Sequence, residues 1–330
     1  MSNPFPGSGT VATNPVANTE KTPVTPYQEQ WNLAVERQLP WNFGLRVGYV
    51  GSRSLKQNNY HGSGNVNPDL NAVVPAPGAV QPRRPIQPFS NIFWYDAPIF
   101  SMNSNAAQVG LHKQYSNGLA VNAEYQYIRA LGSENFQDSL HTNDSYGNVG
   151  IIRPHQFIVS YSYLLPFGKN SMLFSNVNGF VNTLVSGWSI SGITTFQSGA
   201  PYSITQVSSL QGGVSSRANR RPGVSLYPTD KTIQQWFNPA AFYTTDFQYG
   251  NSAYNMLWGP RYQNWDTAVS KSTMLHEGVN LQIRVDAFNV FNHPTFANPA
   301  ANISNARTVG TITSTNGANR TLQLGGKLTF

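Results

Sequence analysis

The side chains best equipped to hold a metal or move a proton are six histidines, His61, His112, His141, His155, His276 and His293. Their spacing includes neither His-x-x-x-His nor Glu-x-x-His, the intervals that put two ligands on one helix face, so no metal site is expected. The absence of cysteine excludes a disulfide framework, a thiolate metal centre and a cysteine nucleophile. No Gly-x-Ser-x-Gly elbow with an acid and a base is present, and the run Gly7, Ser8, Gly9 falls in a leader with no strand around it. Gly212-Gly213 and Gly325-Gly326 lack the strand-to-helix setting of a phosphate loop. Asp138 and Asp144 share a loop without the apolar wall that raises a carboxyl pKa for acid catalysis. No catalytic, cofactor-binding or metal residue is assigned, and the chain is read as something other than an enzyme.

Charge follows a different rule. Only 11% of residues are charged, against about 25% in an ordinary domain. Arg46, Glu124, Arg284 and Asp286, with Gln108, Asn122, Asp266 and Gln282, sit at alternate positions of segments whose intervening residues are apolar. Successive side chains of a strand point to opposite faces, so these residues share a wetted face. The four charges are the candidate contact residues of the chain.

The elements that must position them are about nine strands of period 2. They are centred on 27–39, 43–51, 109–115, 119–127, 157–165, 188–196, 265–269, 281–287 and 321–330. Ser116-Asn117-Gly118 is a hairpin signal, and the apolar stretch 177–185 has room for one or two helical turns. The connections alternate short and long. Residues 40–42, 116–118, the segment after Pro166 and 273–278 are short, whereas 52–104, 129–154, 198–263 and 293–320 are long. Tight turns at one end and large loops at the other are the pattern of an outer-membrane barrel.

The last strand agrees. Leu322, Leu324, Leu328 and Phe330 share one face, opposite Gln323, Lys327 and Thr329. One face suits lipid and the other water. The terminal aromatic resembles the signal read by the barrel-assembly machinery, with Leu324, Leu328 and Phe330 as its residues. Aromatic residues gather at strand ends as two interfacial girdles: Tyr27, Trp31, Tyr125, Tyr127, Phe196, Trp265 and Phe291 outside, and Trp41, Phe43, Tyr115, Tyr163, Trp188 and Phe330 inside. Lys113, Lys271 and Arg37 are charges on the lipid phase, each near the inner end, where a long side chain can snorkel.

Composition fits this reading. A mean hydropathy of -0.35 and the lack of any apolar run near 18 residues exclude membrane-spanning helices, while alternating strands average near zero. The net charge of +7 is scattered, and its tight groups, Arg83-Arg84 and residues 217–221, lie in Pro-, Ser- or Asn-rich loops. They are read as solvated loop charge, and no nucleic-acid partner is expected. Residues 1–7 lack the basic and apolar regions of an export signal. An odd strand count whose first member enters from outside also differs from single-chain bacterial barrels. The expectation is the tail of a longer barrel: residues 1–26 a disordered leader or loop remnant, 27–330 the barrel portion.

Two motifs stand apart. In 288–296, Asn289, Asn292 and His293 could contact a ligand or shape the strand exit before Pro294, and the second reading is stronger. In 236–242, the aromatic rings of Trp236, Phe237 and Phe242 could stack on sugars or anchor a long loop on itself, and anchoring is favoured.

The segments 27–39 (YQEQWNLAVERQL), 187–202 (GWSISGITTFQSGAPY), 236–242 (WFNPAAF), 250–252 (GNS), 259–266 (GPRYQNWD) and 284–296 (RVDAFNVFNHPTF) resemble the C-terminal barrel of Oar-like TonB-dependent receptors. The resemblance covers nearly all of 27–330. It implies an all-β, antiparallel transmembrane barrel of about 22 strands closed by a separate plug. An N-terminal β-sandwich, a segment that contacts TonB and about 13 further strands would precede this portion. It also implies outer-membrane lipid and an unknown large or scarce solute as partners, with no cofactor. Arg46, Glu124, Arg284 and Asp286 would then face the lumen and contact plug or solute. Two alternatives stay open: a surface adhesin or glycan-binding barrel, and a passive porin.

Overall fold

The computed structural model describes residues 16–18, 24–57, 68–94, 97–134, 136–138, 141–169, 171–207 and 216–330. Nine long strands form one antiparallel sheet: β1 (Tyr27–Leu39), β2 (Phe43–Gln57), β3 (Phe100–Ser116), β4 (Leu119–Ser133), β5 (His155–Leu164), β6 (Trp188–Gln197), β7 (Tyr262–His276), β8 (Val279–Phe288) and β9 (Thr321–Thr329). They lie side by side in chain order, and the short strand Tyr146–Asn148 is added to the end of β4. Seven of the nine segments picked out by period 2 fall within one of these strands, and the other two, 157–165 and 321–330, overrun theirs by one residue, Leu165 and Phe330.

Four strands run further than the apolar alternation does. β2 continues to Gln57, β3 begins at Phe100, β4 continues to Ser133 and β7 spans Tyr262–His276. The first long connection is therefore 58–99, and the β7–β8 turn narrows to Glu277-Gly278. These extensions pair through backbone and polar side chains, as in the 2.7 Å contact between the Ser52 and Ser104 hydroxyls. A strand held that way in water needs no apolar alternation, so the sequence pattern ends before the strand does.

The short connections have local causes. Asn117 and Gly118 take φ of 50° and 79°, the two left-handed positions of a type I′ hairpin turn. Between β5 and β6 lies α1 (Gly179–Val185), which starts where the Asn178 side chain accepts a hydrogen bond from Val181 N. Lys113 donates to Trp41 O at 3.1 Å, and Lys271 donates to Thr183 O and Ser186 O at 2.7 Å. Both lysines reach from the apolar phase of their strands to free carbonyls at the short-turn end.

Register lines up the apolar phase across the sheet: Val35, Val47, Val109, Tyr125, Phe157 and Phe196 face one another strand by strand. Among the described residues no second layer covers this face, and Leu33, Val35 and Leu324 are 65–75% exposed. Among the described residues β1 and β9 are paired on one side only.

The buried core lies in the long connections. Tyr202, Ile204, Ala218, Phe237, Ala241, Phe242 and Leu257, all between β6 and β7, are buried together, with Ala301, Ile303 and Val309 of the β8–β9 connection packed on them. Of the leader expected to be disordered, residues 1–15 and 19–23 lie outside the described residues, as do His61 and Gly212-Gly213. Val16–Asn18 pairs in parallel with Ile92–Trp94.

Candidate functional site

Arg46, Glu124, Arg284 and Asp286 all stand on the polar face, and register divides them into two groups. Glu36 of β1, Arg46 of β2, Gly110 of β3 and Glu124 of β4 form one line across the sheet. Arg46 Nε lies 3.6 Å from Glu36 Oε1, a well-exposed ion pair. The Glu124 carboxylate lies over Gly110, where a Cβ would come within 2.7 Å of it. Arg46 and Glu124 are thus two strands apart, about 10 Å at ordinary strand spacing, flanking a floor of bare backbone. On β8, Arg284 Nη2 lies 2.7 Å from Asp286 Oδ1, and its Nε also donates to that carboxylate at 2.8 Å. The two groups are separated by β5, β6 and β7, so they do not form one centre.

Elsewhere the polar face carries hydroxyl and amide pairs across neighbouring strands. Gln108 donates to Gln126 at 3.5 Å, the Ser189 and Ser270 hydroxyls are 2.7 Å apart, and Ser272 donates to Asn280 at 2.9 Å. Near the long-loop end of β7 a cleft of about 380 Å³ opens on this face. Tyr262, Asn264, Asp266 and Asn319 line it, and Asp266 Oδ1 accepts from Asn289 N at 2.9 Å.

The long connections form a folded cap, and its internal charges correct the reading of solvated loop charge. Arg217 is 5% exposed. Its Nε donates to Ser252 O at 2.8 Å, its Nη2 to Asp144 O at 2.5 Å, and its backbone N to Gln137 Oε1 at 3.0 Å. One side chain therefore joins the β4–β5 connection to the β6–β7 connection. Burial pulls its pKa down, opposed by Asp144 and Tyr254. Arg84, 6% exposed, meets Asp69 at 3.1 Å and donates to Asn71 O at 2.7 Å. The physical reason is the same for both: a buried guanidinium has donors enough to satisfy several loop carbonyls at once. Burial also pushes the phenols of Tyr227 and Tyr254 up, and that of Tyr249 to about 12.

The two motifs divide accordingly. Asn289 Nδ2 donates to His293 O and Ala318 O at 3.1 Å, its Oδ1 accepts from His293 N, and Asn292 Oδ1 accepts from Arg320 N. With φ of 49° and 51°, Asn289 and Asn292 shape the strand exit. In 236–242, Phe237 and Phe242 are buried and Asn238 caps the following turn, which is the anchoring role. Trp236 instead remains half-buried and lines a second cleft of about 750 Å³, with Tyr127, His155, Lys231, Trp258 and Arg261. The sequence reading passed over Lys231, Arg261 and Trp258. Their signal was the clustering of cations and aromatic residues in 227–236 and 258–261.

The fold is similar to the outer membrane transporter YddB from Escherichia coli, at 13% identity and a TM-score of 0.48, covering 96% of this chain and 34% of that one. It is similar to the siderophore receptor PiuA from Acinetobacter baumannii, at 9% identity and a TM-score of 0.44, covering 92% and 28%. The ferric-catecholate import receptor Fiu from Escherichia coli K12 gives 10% identity and a TM-score of 0.41, covering 94% and 30%. The chain thus spans about a third or less of the length of these structures. No curated protein matches it. A family model described as the outer membrane beta barrel domain matches residues 1–323, in agreement with the uncovered apolar face, the polar face behind it and the ordered meander. The chain belongs to the outer membrane β-barrel domain family.

Proposed function

We propose that this chain is the C-terminal portion of an Oar-like, TonB-dependent receptor barrel that moves a large or scarce solute across the outer membrane. The observation that carries the reading is the pairing of a polar wall with a folded cap at one end of it. A passive pore needs the wall alone. In this reading the short-turn end is periplasmic and the cap extracellular. The cap and the Asp266 cleft meet the solute first, and the line Glu36, Arg46, Glu124 and the Arg284–Asp286 pair face the plug. The free edges of β1 and β9 are completed by the remaining strands, since an unpaired backbone group in lipid costs several kcal/mol. The conformity of 27–330 to the receptor motifs supports the same assignment.

Two measurements test it. A photo-crosslinking residue at Gln282, on the lumenal phase, is expected to trap a plug segment in the intact receptor, whereas the same residue at neighbouring Ile283 traps none. Deletion of the gene in its host is expected to abolish uptake of a solute from the medium, and a protonophore to do the same in the parent strain. Uptake that persists under the protonophore would assign a passive pore instead.

A further inference from the structure

The 750 Å³ cleft carries a charge pattern that its own walls leave uncompensated. Lys231 and Arg261 line it together with His155 and His293, and none of its lining residues among the described ones is an acid. The Lys231 ammonium sits 3.5 Å from the centre of the Tyr227 ring and 5.4 Å from that of Trp236. Burial and the neighbouring Arg261 cation both pull its pKa below the ordinary lysine value. Two like charges held near one another raise the free energy of the empty cleft, and an anion between them lowers it.

The aromatic walls are fixed in place. Trp236 Nε1 donates to Trp258 O, and Trp258 N donates to the Tyr227 hydroxyl, both at 2.9 Å. The cleft also has a defined side. Tyr127 and His155 are register partners on the apolar phase of β4 and β5. Just below them on the same face, Phe196, Trp265 and Phe291 form an edge-to-face chain with ring centres 5.0 and 5.1 Å apart. The cleft therefore opens above this aromatic chain on the apolar side of the sheet, the face opposite the line of Arg46 and Glu124.

We propose that this cleft binds a phosphorylated sugar, presented by an outer-leaflet glycolipid or free in solution. Lys231 and Arg261 take the phosphate by charge-assisted hydrogen bonds, and Trp236 and Trp258 pack against the sugar ring. A volume of this size holds one or two sugar rings. The lipid-borne source uses the extracellular placement of the cap proposed above; binding itself requires neither a plug nor transport, so failed uptake and failed binding are separate results.

The intact receptor in detergent is titrated with an acylated, diphosphorylated glucosamine disaccharide, with its dephosphorylated form, and with glucosamine 1-phosphate, and bound ligand is counted by native mass spectrometry. The phosphorylated glycolipid is expected to bind one equivalent, with the dephosphorylated form about tenfold or more weaker. The double variant Lys231→Gln, Arg261→Gln is expected to lose a similar factor, while Lys231→Arg retains binding. Both residues are exposed, and unchanged heat-dependent gel mobility verifies that the variants fold. Glucosamine 1-phosphate binding as tightly as the glycolipid assigns the source to solution; glycolipid binding alone assigns it to the leaflet. Equal binding of the dephosphorylated form, undiminished binding by the double variant, or no binding of any probe overturns the proposal.

Discussion

The sheet and the cap are built by opposite rules. The sheet has no core of its own: its apolar residues, such as Val35 and Leu324, point outward into a face that none of the described residues covers as a second layer. The cap resembles a small soluble domain, with Phe237, Ile204 and Leu257 fully buried and Arg217 satisfied inside it. The sheet is stabilised by its backbone ladder and by lipid, the cap by burial of apolar area at about 25 cal/mol per Å². A substitution that is harmless in one region should therefore be costly in the other.

The largest expected effect is in the cap. Phe237 contacts Tyr202 and Phe242, with ring centres 6.3 and 6.0 Å apart, and is inaccessible to solvent. Phe237→Ala in the intact receptor should cost the cap about 3–5 kcal/mol, enough to expose 198–261 to protease on intact cells, while the receptor still gives a heat-modifiable barrel band. Loss of the barrel band together with the cap would show that the two regions fold as one unit.

Adjacent positions on β3 sharpen the contrast from the side of the sheet. Leu111 has the apolar phase and His112 the polar phase. Leu111→Arg should cost about 2–4 kcal/mol in a urea titration of the barrel in lipid, and His112→Arg about 0–1 kcal/mol. Equal costs at the two positions would mean that lipid does not contact the face assigned to it.

The two regions also differ in how far they can be read from the sequence. The wall was legible because its determinant is one-dimensional: Leu45, Val47 and Tyr49 alternate with Arg46 and Gly48, and each short turn brings the next strand alongside. The cap was not, since its contacts join residues as distant as Ile204, Phe237 and Ile303, and no local period marks them. The buried state of Arg217 was hidden for the same reason; its partners Gln137, Asp144 and Ser252 come from two connections. The four candidate contact residues share the polar phase, yet phase alone could not show that Arg284 pairs along its own strand with Asp286 while Arg46 pairs across strands with Glu36.

A smaller effect is expected where the wall meets its short turns. Lys271 holds two carbonyls at the end of α1, a favourable position for a cation. Lys271→Met should cost about 1 kcal/mol and lower the urea midpoint of the barrel without altering protease resistance of the cap. An effect confined to the cap would contradict the assignment of α1 to the opposite end.

The smallest effect is a pH dependence, and it should be confined to the cap. His141 Nδ1 lies 2.7 Å from Asp138 Oδ2, and that hydrogen bond, then the Asp138 charge, raises the histidine pKa above 6.5. A histidine whose pKa is higher in the folded state contributes stability that is complete below its unfolded value and fades as pH rises through the folded one. The β4–β5 connection should therefore lose protection from protease as pH climbs from about 6 past the raised value, with no matching change in the barrel's urea midpoint. Because the imidazole is solvent-exposed, the change should be slight and further weakened by salt. His141→Gln should remove the pH dependence altogether. If the variant retains it, the titrating group lies elsewhere, and the separation of a pH-sensitive cap from a pH-insensitive wall must be traced to a different residue.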